Sequence, residues 1–166
     1  MKKRYIIGDL HFGHSAMVDR FGRPFSSVDE MNLIIIQNWN NIVTPIDRVY
    51  LLGDVSMNRK YLNLCSHLNG KKVLIKGNHD IFRLKDYLPY FEDIRSYIIE
   101  DWIVVSHMPI LLGDGGKFIG NIHAHVHSND INDDRYINVS AERVNYTPVL
   151  LEDMKQILFD RFPKKL

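Results

Sequence analysis

The chain has a single cysteine, Cys65, among 166 residues; an internal disulfide is therefore excluded, and a reducing compartment fits. Neither sign of charge is in excess. Its 21 Lys and Arg against 20 Asp and Glu leave a net charge of +1, so no global field recruits a polyanion, and contact with nucleic acid would need a local patch. Long apolar runs are missing too: every stretch falls far short of the roughly 20 residues of a membrane-spanning helix. The basic start Met1-Lys2-Lys3-Arg4 is followed only by Tyr5, Ile6 and Ile7 before Gly8-Asp9, too few for the roughly 7–15 apolar residues of a secretory signal. No repeat, low-complexity tract or linker is visible. These absences lead to the expectation of a soluble, cytoplasmic protein without a membrane partner. Hydrophobic residues make up 45% and charged residues 25%, which excludes disorder, and the length suits one domain, residues 1–166, with a genuine core.

Short β-branched or aromatic runs predict strands at Arg4–Ile7, Arg48–Leu52, Lys72–Ile75, Ser96–Ile99, Ile103–Val105, Phe118–Ile122 and Tyr136–Val139. A helix is expected from about Val28 to Ile42, where Ser27-Val28-Asp29-Glu30 forms a capping-box signature and Met31, Ile34, Ile35, Trp39 and Ile42 share a face. A second is expected over Lys60–Leu68, ending at Asn69-Gly70, and a third over Glu152–Phe162 before Pro163. Strand and helix alternate in the first half, and strands dominate the second. The pattern predicts mixed sheets packed on each other with helices outside. Trp39, Met31 and the Ile34–Ile36 run read as core, Cys65 as an inert core thiol, and His67 and Arg20 as surface residues.

The chemistry is concentrated where apolar runs stop. Five segments carry it: Asp9-Leu10-His11, Gly53-Asp54, Gly77-Asn78-His79-Asp80, Ser106-His107 and His123-Ala124-His125-Val126-His127. Seven of the eight histidines fall in or beside these segments. In extended backbone, residues two apart point to one face, so Asp9 and His11 are placed to chelate one cation, and His125 and His127 again share a face. His79 follows Asn78 directly and turns to the other side, which suits an imidazole that meets substrate. Carboxylates, an amide and imidazoles are what two neighbouring divalent cations need when they share a bridging carboxylate. Open sheets gather such groups at the carboxyl ends of strands. The loop Phe12–Phe25 adds His14 and Arg23 as candidates for substrate contact, and Gly113-Asp114-Gly115-Gly116-Lys117 reads as a flap beside the metals.

This ordered set resembles the calcineurin-like metallophosphoesterase superfamily, whose last two motifs usually read Gly-His and Gly-His-x-His. More narrowly, Asp9-Leu10-His11-Phe12-Gly13-His14, Arg23-Pro24-Phe25 and Asn145-Tyr146-Thr147-Pro148 resemble a group of small bacterial and phage phosphoesterases. The resemblance spans Tyr5 to Leu151. It implies an α/β (α+β) four-layer fold, two packed mixed β-sheets flanked by helices. It also implies one metal on Asp9, His11, Asp54 and His127, another on Asp54, Asn78, His107 and His125, and His79 as the catalytic residue. The implied activity is metal-dependent hydrolysis of phosphate esters. Ser106 and Ala124 replace the usual glycines, and small residues there are expected to preserve the backbone path. Met57 stands where many members carry an acidic partner for the catalytic histidine, which points to phosphodiesters over alkyl phosphomonoesters. A nuclease or cyclic-nucleotide phosphodiesterase acting on short nucleic acid, and a non-catalytic metal-binding scaffold, are the alternatives. Two divalent ions are expected, manganese first, with iron, zinc, nickel or cobalt admissible because no cysteine ligand appears. The oligomeric state stays open.

Overall fold

The computed structural model of the chain describes residues 1–163, so the last three residues of the expected domain lie outside the description. Strands β1 (Arg4–Gly8), β2 (Arg48–Leu52), β3 (Lys71–Ile75), β4 (Asp93–Arg95) and β9 (Val149–Leu150) form one sheet in the order β4-β3-β2-β1-β9. Strands β5 (Tyr97–Glu100), β6 (Ile103–Ser106), β7 (Gly120–His123) and β8 (Tyr136–Asn138) form the other, in the order β5-β6-β7-β8. Both sheets are mixed. β1 to β4 pair parallel and β9 antiparallel; β6, β7 and β8 pair parallel and β5 antiparallel. The architecture is the α/β one expected, two packed mixed sheets with helices.

The reason lies in the strand sequences. Val49-Tyr50-Leu51-Leu52 is continuously apolar, as a strand buried on both faces must be. Val49 and Leu51 enter the core shared with helix α2 (Val28–Ile42), through Met31, Ile35 and Trp39. Tyr50 and Leu52 enter the core between the sheets, with Ile103, Val105 and Ile122 of the second sheet. Leu151 and Leu158 of helix α4 (Leu151–Arg161) join that second core. The Ser27 hydroxyl accepts the Glu30 amide at the start of α2, as the capping box predicts, while the Glu30 carboxylate reaches Ser26.

Several elements differ from the sequence reading. The expected helix over Lys60–Leu68 is a 3-10 helix, Arg59–His67, started by Asn58, whose side chain accepts the Lys60 amide. Its buried residues Leu62 and Cys65 are three apart, the spacing that a three-residue turn stacks on one line. Two one-turn helices, α1 (Ala16–Asp19) and α3 (Leu84–Tyr87), and the edge strands β4 and β9 were not expected. Each is too short to carry a periodic signal and exists through its neighbours. The loop Gly113–Lys117 is not beside the ligand-bearing strand ends: it lies against Arg135, Phe162 and Pro163, near the amino ends of β7 and β8. Cys65 is fully buried, and burial pushes its thiol up to about 12, as an inert core thiol requires. Among the described residues, no helix is long and apolar enough to cross a membrane.

Candidate metal centre

The five segments sit at the carboxyl ends of strands: Asp9 after β1, Asp54 after β2, Asn78 after β3, His107 after β6, and His125 and His127 after β7. Pairing continues beyond the strands and knits these ends together. Asp9 N–H donates to Gly53 O, His11 N–H to Asp54 O, and Ala124 N–H to His107 O.

The backbone there is not extended. Asp9, His11, Asp54, His125 and His127 have φ of 58°, 50°, 52°, 73° and 53°, five of the nine non-glycine residues in the left-handed region among the described residues. The side chains therefore converge by tight turns, not by the alternation of a strand. Each such residue costs about 1–3 kcal/mol and persists only where its surroundings over-determine it. Gly53 and Gly77 allow the close approach. A Cβ on Gly53 would lie 2.4 Å from the Gly77 nitrogen, and one on Gly77 would lie 2.3 Å from Asp54 Oδ1. Ala124 is accommodated in the same way, since its Cβ occupies the space that a side chain on Gly8 would need.

Two donor groups result, Asp9 with His11 and His127, and Asp54 with His107 and His125, the ligand atoms of each within 4.8 Å of one another. Asp54 lies between them. Its Oδ2 is 3.6 Å from His11 Nε2 and its Oδ1 is 3.5 Å from His107 Nε2. Asn78 Oδ1 joins the second group, 2.8 Å from His107 Nε2.

The donor atoms fit cations. Among the described residues, Asp9 Oδ1 and both ring nitrogens of His11 are buried without a hydrogen-bond partner, an arrangement that is costly unless a cation satisfies it. His107 Nδ1 is 2.8 Å from Leu52 O, and a carbonyl only accepts, so the ring proton is on Nδ1 and Nε2 is bare. That bare nitrogen faces Asn78 Oδ1 and, at 3.2 Å, His125 Nδ1. Unshared pairs converging on one point are a cation's coordination shell.

Electrostatics agree. Burial lowers His11 to about 2, so its imidazole is neutral and able to coordinate at any working pH. Burial also holds His125 and His14 below the ordinary histidine value, and burial raises Asp9 above the ordinary carboxylate value. His127 is raised, chiefly by its hydrogen bond to Glu142.

The remaining candidates separate clearly. His79 stands beside the donor groups, with its ring centroid 5.8 Å from that of His11 and its backbone N–H on Asp54 Oδ1 at 2.9 Å. Its ring makes no hydrogen bond among the described residues. His14 lies 5.6 Å from the His11 ring, its Nδ1 buried and unpaired. Arg23, a candidate for substrate contact, is enclosed by the fold. It is 3% exposed, and its guanidinium donates to Asp9 O, Leu10 O and Glu142. His123 is buried outside both groups, with Nδ1 on Ala124 O and its ring against Tyr136. Asp80 accepts the N–H groups of Asp54, Val55 and Gly77 at 2.8–3.0 Å, so its carboxylate fixes the Asp54 turn and does not orient His79.

The model of the calcineurin-like phosphoesterase family matches residues 2–164. The chain belongs to that family. It is 36% identical over 163 residues to an uncharacterized protein of Methanocaldococcus jannaschii, covering 92% of this chain and 89% of that one. It is 27% identical over 128 residues to the gene 66 protein of Mycobacterium phage L5, covering 70% of this chain and 59% of that one. Among solved structures, a protein of unknown function from Aquifex aeolicus superposes with a TM-score of 0.73 at 25% identity, covering 95% of this chain and all of the other. Family membership accounts for the order of the five segments. Glu142 escaped the sequence reading: it lies 15 positions beyond His127, outside the five segments.

Proposed function

We propose that this calcineurin-like phosphoesterase hydrolyses phosphate esters with two divalent cations, manganese first among them. Asp9, His11, Asp54 and His127 would hold one, and Asp54, Asn78, His107 and His125 the other. The observation that carries the reading is the Asp54 carboxylate, one oxygen turned to each donor group. When bound, such ions polarise phosphoryl oxygens and lower the pKa of water. His79 supplies the proton for the leaving oxygen: it borders both groups without joining either, and its backbone N–H on Asp54 fixes its distance from them. A donor of this kind contributes about 10²–10⁴-fold. His14, beside His11, is the candidate for substrate contact.

Phosphodiesters are the favoured substrates. Met57 replaces the acidic partner, the Asp80 carboxylate is committed to three backbone amides, and among the described residues the His79 ring has no acceptor to orient it. A poorly oriented acid serves a leaving group of low pKa better than an alkoxide. A small ester or a short nucleic acid fits the chain's near-neutral charge. The test is a panel of manganese-reconstituted protein with an aryl phosphodiester, cyclic nucleotides, a short oligonucleotide and an alkyl phosphomonoester. Aryl diester turnover well above that of the alkyl monoester is expected. Efficient alkyl monoester hydrolysis would overturn the diester preference; no hydrolysis with both sites filled would make the chain a scaffold.

A further inference from the structure

Two motifs find no place in the reaction: Arg23-Pro24-Phe25 and Asn145-Tyr146-Thr147-Pro148. The fold brings them together. The Phe25 and Tyr146 rings meet edge to face at 4.8 Å, and the Arg23 guanidinium lies over the Tyr146 ring at 5.6 Å. Tyr146 N–H closes onto Ala141 O, and Ala141 N–H onto Gly8 O at the end of β1. Glu142 is therefore presented from a loop tied to the strand that delivers Asp9. All its protein partners converge on Oε1: Arg23 Nε at 2.9 Å, Arg23 Nη2 at 2.8 Å and His127 Nδ1 at 3.0 Å. The same guanidinium donates to Asp9 O at 2.6 Å and Leu10 O at 2.9 Å. With an Arg23 side chain 1% exposed and a Glu142 side chain 15% exposed, this pair is enclosed.

Resting on the two-cation reading above, we propose that Glu142 is a positioning residue for His127, and that Arg23 holds Glu142 in register with the Asp9–His11 segment. A carboxylate beside Nδ1 accepts its proton, so the imidazole has one tautomer and one ring orientation, with Nε2 left bare to coordinate. His127 needs this support. Its φ of 53° is a conformation the backbone alone does not favour, and its side chain is 32% exposed, so packing alone does not fix the ring. The two donor groups are thus held differently. His107 is oriented by a backbone carbonyl, Leu52 O, which no side-chain substitution removes. His127 is oriented by a side chain 15 positions away, buried with its counter-charge. Arg23 ties the backbone of Asp9 and the ring of His127 to one ion pair, so disturbing that pair loosens one site and leaves the other.

The test uses the full chain in two forms. In metal-free, ¹⁵N-labelled protein at alkaline pH, long-range ¹H–¹⁵N spectra read the His127 tautomer. Wild type is expected to carry the proton on Nδ1. Glu142→Ala should lose that preference, and Glu142→Gln, whose amide oxygen still accepts, should keep it. In manganese titrations, Glu142→Ala should weaken one of two binding events by about 10–100-fold and spare the other, with Glu142→Gln recovering part of the loss. An unchanged tautomer in Glu142→Ala, or equal weakening of both events, would overturn the proposal. Should Glu142→Ala leave Arg23 too costly to bury for the chain to fold, the pair Arg23→Met with Glu142→Leu removes both charges together and carries the same expectations. If wild type binds no cation, the proposed function fails while the tautomer measurement still decides the role of Glu142.

Discussion

Replacing Asp54 should remove both cations, whereas replacing a terminal ligand should remove one. The geometry sets the size of the difference. Asp54 offers Oδ2 to the group of His11 and Oδ1 to the group of His107, while His127 belongs to a single group. At free manganese a hundred times each Kd, each filled site stabilises the fold by about 2.7 kcal/mol, and two by about 5.4 kcal/mol. At this length about 1 kcal/mol moves the melting midpoint by roughly 2–4 °C, so the wild-type gain is roughly 11–22 °C. If losing a ligand weakens a site about 100-fold, that site contributes only about 0.4 kcal/mol at the same concentration. Asp54→Ala then retains about 0.8 kcal/mol, a gain of roughly 2–3 °C. His127→Ala retains about 3.1 kcal/mol, roughly 6–12 °C. Melting with chelator and with manganese, alongside metal content, reads these values. Each variant is compared with its own chelated midpoint, because Asp54→Ala also removes the acceptor of His79 N–H. Equal losses in Asp54→Ala, His11→Ala and His127→Ala would show that Asp54 does not bridge.

Two further outcomes are expected. His79→Ala should keep both cations and its melting temperature yet lose about 10²–10⁴-fold in kcat with little change in KM; a lost cation would make His79 a ligand. Asp47 accepts Thr44 Oγ1, Thr44 N–H and Lys3 N–H, and the Thr44 hydroxyl leads in holding its pKa below the ordinary carboxylate value. Its contribution is therefore present above the unfolded value and lost as pH falls through the depressed one. Acid titration of stability should lose part of that limb in Asp47→Ala, and superimposable curves would refute the assignment.

The sequence by itself determined the strands other than the short edge pair β4 and β9, the helices α2 and α4, and the order in which liganding residues leave the strands. These are local properties: an apolar run such as Val49–Leu52, or a capped amphipathic segment such as Val28–Ile42, carries its own signal. Because most of those strands run parallel, their carboxyl ends share one rim, and the five segments had to meet. How they meet was decided by tertiary structure. Extended backbone at Asp9, His11, His125 and His127 would follow from spacing alone, yet all four are left-handed, because loops bonded to neighbouring strand ends impose turns that an isolated segment would avoid. Arg23 reads as a candidate for substrate contact until the fold encloses it against Glu142. Asp80 closes the third segment in sequence, but its work is decided only where three backbone amides close on it. Partners that distant in sequence leave no periodicity, and only the packed chain supplies the burial that makes their hydrogen bonds strong enough to hold a strained site.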